Sequence, residues 1–423
     1  MLKAYDFLIL MTFGQLGLPH PSLAGMADVL HCRLSREAIH RRFTAEAVAF
    51  LLLCLRATLS RRVRQMDRLQ ASCLKPYARV LLFDSTSWDV DPRLRDVFAG
   101  SGGEASAANC KLQVGYDYTR GELNCFQLTP GTQPDNAYTR QLPKLLNAKD
   151  LALFDQGYFK IQTLQEIEQK GAFFLTRFFT KTSVYEPDTL VPIPLEQLLS
   201  RRDGKIHDVD ILMQGQGKEK ATVRCRLICL RVPASVAEQR RRRLYKATRK
   251  KGYTPSQRQL RLCEWTLLIT NAPASILPPE LALRLYALRW QIELLFKQLK
   301  SVLGLHLSHT QNEYRLRCEI LGKLIVAVWF HRLHASFNIA LWNHSRREIS
   351  MDILYKRLQE RAFTLAQMLL DSVRKSVTYL SMELLRILSH CMKAKQKSRP
   401  TSLEWLESPL IPGSWKPRVP CLS

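Results

Sequence analysis

The chain has 423 residues, 46% of them apolar and 24% charged, the balance of a folded protein of about two to four domains; a disordered or fibrous chain is excluded. Lys and Arg number 63 against 37 Asp and Glu, a net charge of +26, so a polyanion is the expected partner. No stretch of about 18 apolar residues stands out to span a bilayer, and the 11 scattered cysteines never form C-x-x-C, which together lead to the expectation of nucleic acid as partner, no membrane, and a reducing cytoplasm.

Apolar spacing from Phe7 to Leu16, then at Leu23, Met26, Ala27 and Leu30, predicts helices over residues 1–75. A break falls at 31–34, and Ser35 is placed to cap a next helix carrying Ile39 and Phe43. Arg33, Arg36, Arg41 and Arg42 make this helix-turn-helix pattern a DNA-binding candidate, although many small helical pairs look the same and bind nothing. From residue 76 the texture is that of strands. An apolar run at 80–83 stops at Asp84, the pieces 110–118 and 122–129 read as a hairpin, and a second short run at 151–154 stops at Asp155. Helices over 136–146 and up to Gln169, then a strand over 172–178, complete an α/β core with both aspartates at strand ends. Residues 180–264 turn β-rich and polar, and 265–271 return to the core pattern. The expected organisation is therefore a helical DNA-binding domain (1–75), a first core part (76–179), a β-rich insertion domain (180–264), a second core part (265–312), and a helical C-terminal region with an irregular tail (313–423).

Pro278 and Pro279 suit a helix start, because proline lacks the N–H that goes unsatisfied there. At about 100° per residue, one continuous helix from that point puts Tyr286, Arg289, Glu293, Lys297 and Lys300 on one narrow face. Beside it runs an apolar stripe of Leu285, Leu288, Ile292, Leu295, Phe296 and Leu299. A glutamate among cations is ordinarily a solvated i, i+4 pairing. Two more carboxylates at strand ends, where open α/β sheets place functional groups, change that reading. Gathered at one site, the carboxylates of Asp84, Asp155 and Glu293 would repel one another. A divalent ion removes the repulsion: hard oxygen ligands select Mg²⁺, with Mn²⁺ as a substitute. Two such ions activate an attacking oxygen and stabilise the leaving oxygen of a phosphodiester, and Tyr286, Arg289, Lys297 and Lys300 would then hold phosphates.

Asp84-Ser85-Thr86, Asp155-Gln156-Gly157-Tyr158 and Tyr286-x₂-Arg289-x₃-Glu293-x₆-Lys300 together resemble the signature of bacterial DDE transposases of insertion-sequence family four, the YREK-signature group, over about residues 5–345. The resemblance implies an α/β fold with a ribonuclease H-like mixed-sheet catalytic core, interrupted by a β-rich insertion and flanked by helical regions. It implies Asp84, Asp155 and Glu293 as the catalytic, metal-binding triad, acting on the terminal inverted repeats of a mobile element by a cut-and-paste route through a hairpin intermediate. Trp265 is similar to the tryptophan that receives a flipped base in such enzymes, against its ordinary reading as a core aromatic. Arg177 resembles a DNA-contacting arginine, against a surface salt bridge. The C-terminal third carries no recognised motif; a homodimer in the DNA complex and a nucleoid-associated place in a bacterial cytoplasm are further expectations.

The segment at 240–251 holds eight cations in twelve residues, Arg240, Arg241, Arg242 and Arg243 among them, with Tyr245 interleaved. Such a run is usually a solvated face; in a chain of this charge it points to phosphate-backbone contact with double-stranded element and target DNA. The reading is a metal-dependent DNA transposase. Its rivals are a ribonuclease H-like nuclease or resolvase, which cuts without joining, and a catalytically silent DNA-binding derivative.

Overall fold

The computed structural model describes residues 2–17, 22–30, 35–60, 68–102, 106–200, 206–215, 221–393 and 401–408. Helix α1 (Ala4–Ile9) runs into a π-helical turn (Leu10–Gly14), followed by α2 (Leu23–Val29), α3 (Arg36–His40) and α4 (Ala45–Ser60). Ser22 and Ser35 start α2 and α3 by accepting the N–H of Gly25 and Ala38 at 3.0 and 3.1 Å, which satisfies donors that a helix start leaves open. Arg33 and the expected break at 31–34 lie outside the described residues.

Next come β1 (Val80–Asp89), β2 (Asn109–Asp117), β3 (Glu122–Pro130), α5 (Asp135–Tyr138), α6 (Leu142–Leu145), β4 (Leu151–Phe154), α7 (Ile161–Gln169) and β5 (Phe173–Arg177). They are followed by β6 (Val184–Tyr185), α8 (Leu195–Ser200), β7 (Ile206–Gln214), β8 (Thr222–Arg231), α9 (Ala234–Lys250), α10 (Gln257–Leu262) and β9 (Trp265–Thr270). The remainder is helical: α11 (Pro279–Ala287), α12 (Trp290–Ser301), α13 (Glu313–Ser345), α14 (Met351–Glu360), α15 (Ala362–Asp371), α16 (Val373–Cys391) and α17 (Ser402–Glu407). Of the expected irregular tail, residues 394–400 and 409–423 lie outside the described residues.

The chain divides into two compact units. One comprises Met1–Gln70, Asp84–Gln133 and Gln291–Thr401; the other comprises Ala71–Phe83, Pro134–Trp290 and Ser402–Ser423.

Within the second unit the strand order is β1-β4-β5-β9-β8-β7-β6, β1 contributing its residues 80–83. Residues 80–83 of β1 pair in parallel with β4, Phe83 opposite Phe154, and β4 pairs in parallel with β5. Every residue at 80–83 and 151–154 is buried, which is why these strands read as continuous apolar runs: parallel strands are covered on both faces. From β5 onward each pairing is antiparallel, so the sheet is mixed. Strand β9 lies between β5 and β8, and the hairpin β7–β8 finds its outer hydrogen bonds on β9. Residues 180–264 thus add strands to the core sheet, and among their described residues they carry the three helices α8, α9 and α10 as well.

In the first unit β2 and β3 form the expected hairpin. It turns at Gly121, whose φ of 65° favours glycine. The hairpin and α4 pack on α13. Helix α13 has 33 residues and is the one helix among the described residues long and apolar enough to cross a membrane, a stretch the sequence reading did not single out. It also carries buried Glu319, Lys323, His331, His334 and Asn338. Glu319 accepts Arg315 Nε at 2.7 Å, Lys323 donates to Gly304 O at 2.7 Å, and Asn338 Oδ1 accepts Ile349 N–H at 2.7 Å. An all-round apolar helix whose polar groups find partners inside the unit is a core helix. At Gly322 an added Cβ would run into the Met11 carbonyl of the π-helical turn, so glycine permits that backbone approach.

Candidate functional site

Asp84 and Asp155 are each the residue that follows the last pair of the parallel β1–β4 ladder, Phe83 with Phe154. For Asp155 the strand ends there, as expected. For Asp84 it does not: β1 continues to Asp89, because Thr86 and Trp88 suit a strand and Trp88 is buried. Ser85 N–H donates to Asp84 Oδ1 at 2.8 Å. Asp155 caps a 3₁₀ turn (Gln156–Tyr158), its Oδ1 accepting Gly157 N–H at 2.8 Å. A Cβ on Gly157 would stand 3.0 Å from that oxygen, so glycine leaves the carboxylate room to fold over its own turn.

The single helix expected from Pro278 to Lys300 is two. Leu288 N–H bonds Leu285 O at 3.0 Å and Arg289 N–H bonds Tyr286 O at 3.1 Å. These i→i−3 bonds make a 3₁₀ turn between α11 and α12, across which about 100° per residue no longer counts faces. Tyr286 and Arg289, both buried, belong to the second unit; Glu293, Lys297 and Lys300 lie on α12 in the first. The apolar stripe is buried throughout as expected. Within the first unit Lys300 Nζ donates to Ser87 O of β1 at 2.8 Å, and burial pushes its ammonium below the usual value.

Within the second unit Tyr286, Arg289 and Asp155 each act electrostatically on Arg177. Burial is the largest influence on the Arg177 guanidinium and lowers its pKa; Tyr286 and Asp155 oppose that and Arg289 reinforces it. A phenol, two guanidiniums and one carboxylate therefore share a locale, the composition of a phosphate grip. A cavity of about 450 Å³ opens beside it, lined by Gln156, Arg177, Arg240, Arg243, Gln259 and Trp265 among others. Trp265 is 7% exposed. Its ring lies 5.4 Å from that of His207, and the Arg231 guanidinium stands 5.8 Å from its centroid.

The basic run forms part of α9 and separates into two kinds of residue. Arg240 donates to Trp265 O and to Thr266 Oγ1, both at 2.9 Å, and Arg241 pairs with Glu264. Arg242 and Arg243 are exposed, Arg242 with only a loose i, i+4 pairing to Glu238 at 3.4 Å. Among the described residues no group of three His, Cys, Asp or Glu side chains comes together as a metal site. On the cavity wall, the sequence reading had not singled out Gln259, and it had named Gln156 only within the Asp155 motif. The first was announced by its capping box, Ser256-x-x-Gln259, in which both reciprocal bonds form; the second had only its place after Asp155.

The family model described as Transposase DDE domain matches residues 76–329, more than half of the chain. The transposase for insertion sequence element IS231E of Bacillus thuringiensis subsp. finitimus is 25% identical over 416 residues, covering 94% of this chain and 86% of that protein. The transposase for insertion sequence element IS1151 of Clostridium perfringens is 27% identical over 344 residues, 77% and 72% of the two chains. A solved piggyBac transposase synaptic complex with hairpin DNA matches 93% of this chain and 77% of that one, at 11% identity and a TM-score of 0.45. The chain belongs to the DDE-domain transposases of insertion sequences, of the family-four type, a family dependent on divalent metal.

Proposed function

We propose that this transposase cleaves the terminal inverted repeats of a mobile element and joins the freed 3′-hydroxyl to target DNA, with Asp84, Asp155 and Glu293 as its catalytic carboxylates. The observation that carries the reading is the placement of Asp84 and Asp155 directly after the last pair of the central parallel ladder, in a chain whose family match spans both and Glu293. Carboxylate oxygens are the hard donors that Mg²⁺ or Mn²⁺ takes. Bound by these residues, two such ions would neutralise charge at the scissile phosphate and polarise it.

The chain's own groups supply grip and orientation. Arg177, on which Tyr286, Arg289 and Asp155 all act, holds phosphate oxygens together with Tyr286 and Arg289; Lys297 and Lys300 do the same along α12, Lys300 steadied by Ser87 O. Gly157 N–H fixes the Asp155 carboxylate. Exposed cations of α9 bind the backbone of element and target duplexes. Trp265, on the wall of the cavity, receives a flipped base while a hairpin closes at the cut end. The protein works as a homodimer on DNA in the bacterial cytoplasm, at the nucleoid, with residues 1–75 contributing to end binding and 180–264 acting as an insertion within a ribonuclease H-like core.

The test is incubation of the purified protein with its flanking inverted repeats and Mg²⁺, with nicks, hairpins, double-strand breaks and joints mapped on denaturing gels. Joined products establish the transposase. Cuts without joints in any target would return the chain to the nuclease reading.

A further inference from the structure

Two phenylalanines next to the Asp155 turn are not used by the reaction as described. Phe159 follows that turn and Phe179 follows β5, and their rings meet at 5.9 Å between centroids, tilted by 42°. Phe179 is 39% exposed. A single exposed apolar side chain is unremarkable on its own, but the backbone around this one is held from three sides. Gln156 Nε2 donates to Phe178 O at 3.0 Å and Arg258 Nη2 donates to Thr180 O at 3.0 Å, so the carbonyl on each side of Phe179 is pinned. Thr182 N–H closes the turn onto Phe179 O at 2.8 Å. The exposed ring is thereby preorganised: little side-chain or backbone freedom is left to lose when something lies on it.

The surroundings say what that something is. Lys160 and Lys181 flank the two rings in sequence, Lys181 exposed. Gln156, Phe178 and Thr180 also belong to the wall of the cavity that holds Arg177, Arg240 and Arg243. An aromatic face in a cationic neighbourhood, beside a groove lined with guanidiniums, matches a base with its phosphate; an acidic peptide would leave the ring unused. Every base has a π-face, so such a platform takes unpaired nucleotides of any sequence, whereas a base inside a duplex already has both faces stacked and only the terminal pair offers one.

We infer that Phe179, seated on Phe159, is a stacking platform for an unpaired nucleotide of the DNA, separate from Trp265. The inference rests on the reading that the chain handles DNA ends through a hairpin, whose tight turn unpairs bases.

The experiment measures binding of a fluorescent oligothymidine and of a blunt duplex of equal length by anisotropy at one salt concentration. Phe179→Ala is expected to weaken oligothymidine binding roughly 5- to 150-fold and duplex binding less than about twofold, at unchanged melting temperature. Phe179→Trp should hold the wild-type affinity or exceed it. Phe179→Leu, which keeps apolar bulk without a π-face, should behave like the alanine variant. Wild-type oligothymidine affinity in the leucine or alanine variant, or an equal loss on the duplex, overturns the platform. Asp155→Asn serves as the separate arm: it should keep oligothymidine binding and lose strand cleavage, and cleavage that survives in it removes Asp155 from the catalytic reading without touching the platform.

Discussion

Arg240 and Arg242 stand two positions apart in one basic run, yet the first is spent on the fold and the second faces solvent. Arg240→Ala removes two hydrogen bonds from a charged donor to the start of β9 and should lower stability by about 1–3 kcal/mol, read from a urea midpoint. Arg242→Ala should leave the midpoint within about 0.5 kcal/mol and instead reduce the salt slope of DNA binding by about 0.9 for each phosphate that the arginine neutralises. A salt slope equal to wild type would make Arg242 part of a solvated face. The composition of 240–251 announced a polyanion partner but could not sort its members, because that depends on which side of α9 meets Glu264 and Thr266. Trp265 poses the same problem. At 7% exposure its truncation should cost about 3–5 kcal/mol, so Trp265→Ala alone cannot separate a packing role from base capture. If a base is held, a DNA end with an abasic site at the flipped position should restore hairpin closure in the variant while nicking stays intact; uniform loss of every product, with the abasic end no better, returns Trp265 to the core.

Periodicity placed most elements, among them the parallel runs that end before Asp84 and Asp155, the β2–β3 hairpin, and the helices after Pro279. It failed where a local hydrogen-bond choice overrode the count. Arg289 bonds three residues back instead of four, which ends α11 and resets the face on which Glu293, Lys297 and Lys300 lie. At its other end α12 is held by a group that no spacing rule would find. Gly304, at a φ of 59°, carries the carbonyl that accepts Lys323 Nζ of α13. Burial pushes the Lys323 ammonium down to about 8, with Glu319 opposing that shift. Between that value and its ordinary 10.5 the unfolded chain binds more protons than the folded one, so Lys323 makes stability rise with pH across this window; below pH 8 the cost of burying the charge is present in full. Lys323→Met removes the slope. Melting of both proteins at pH 7.5 and pH 10 should show wild type gaining on the variant by about 1–3 kcal/mol at the higher pH. Parallel changes in the two would mean that Lys323 titrates normally and reaches solvent.

At the scale of the whole molecule, charge and chemistry can be separated. On the proposed function, the +26 of the chain would govern how tightly DNA is held, and the three proposed catalytic carboxylates whether it is cut. Asp84→Asn, Asp155→Asn and Glu293→Gln each delete one negative charge, taking the net charge from +26 to +27, so none of them weakens the attraction for phosphate. On the proposed assignment each would also remove an anionic oxygen ligand, and a hard divalent ion held by too few carboxylates binds poorly or in the wrong place. All three variants should therefore bind inverted-repeat ends at least as well as wild type at a fixed salt concentration, and cleave them at least about 100-fold more slowly, the scale on which a missing catalytic charge is felt. A chelator should reproduce the same separation in the wild-type protein, leaving binding and abolishing cuts, with Mg²⁺ restoring them. Band shifts and cleavage gels on the same end substrate read both quantities together. If one of the three variants cuts at close to the wild-type rate, its residue does not serve the reaction; if a variant loses binding in step with cutting, that carboxylate supports the fold and the catalytic assignment at its position falls.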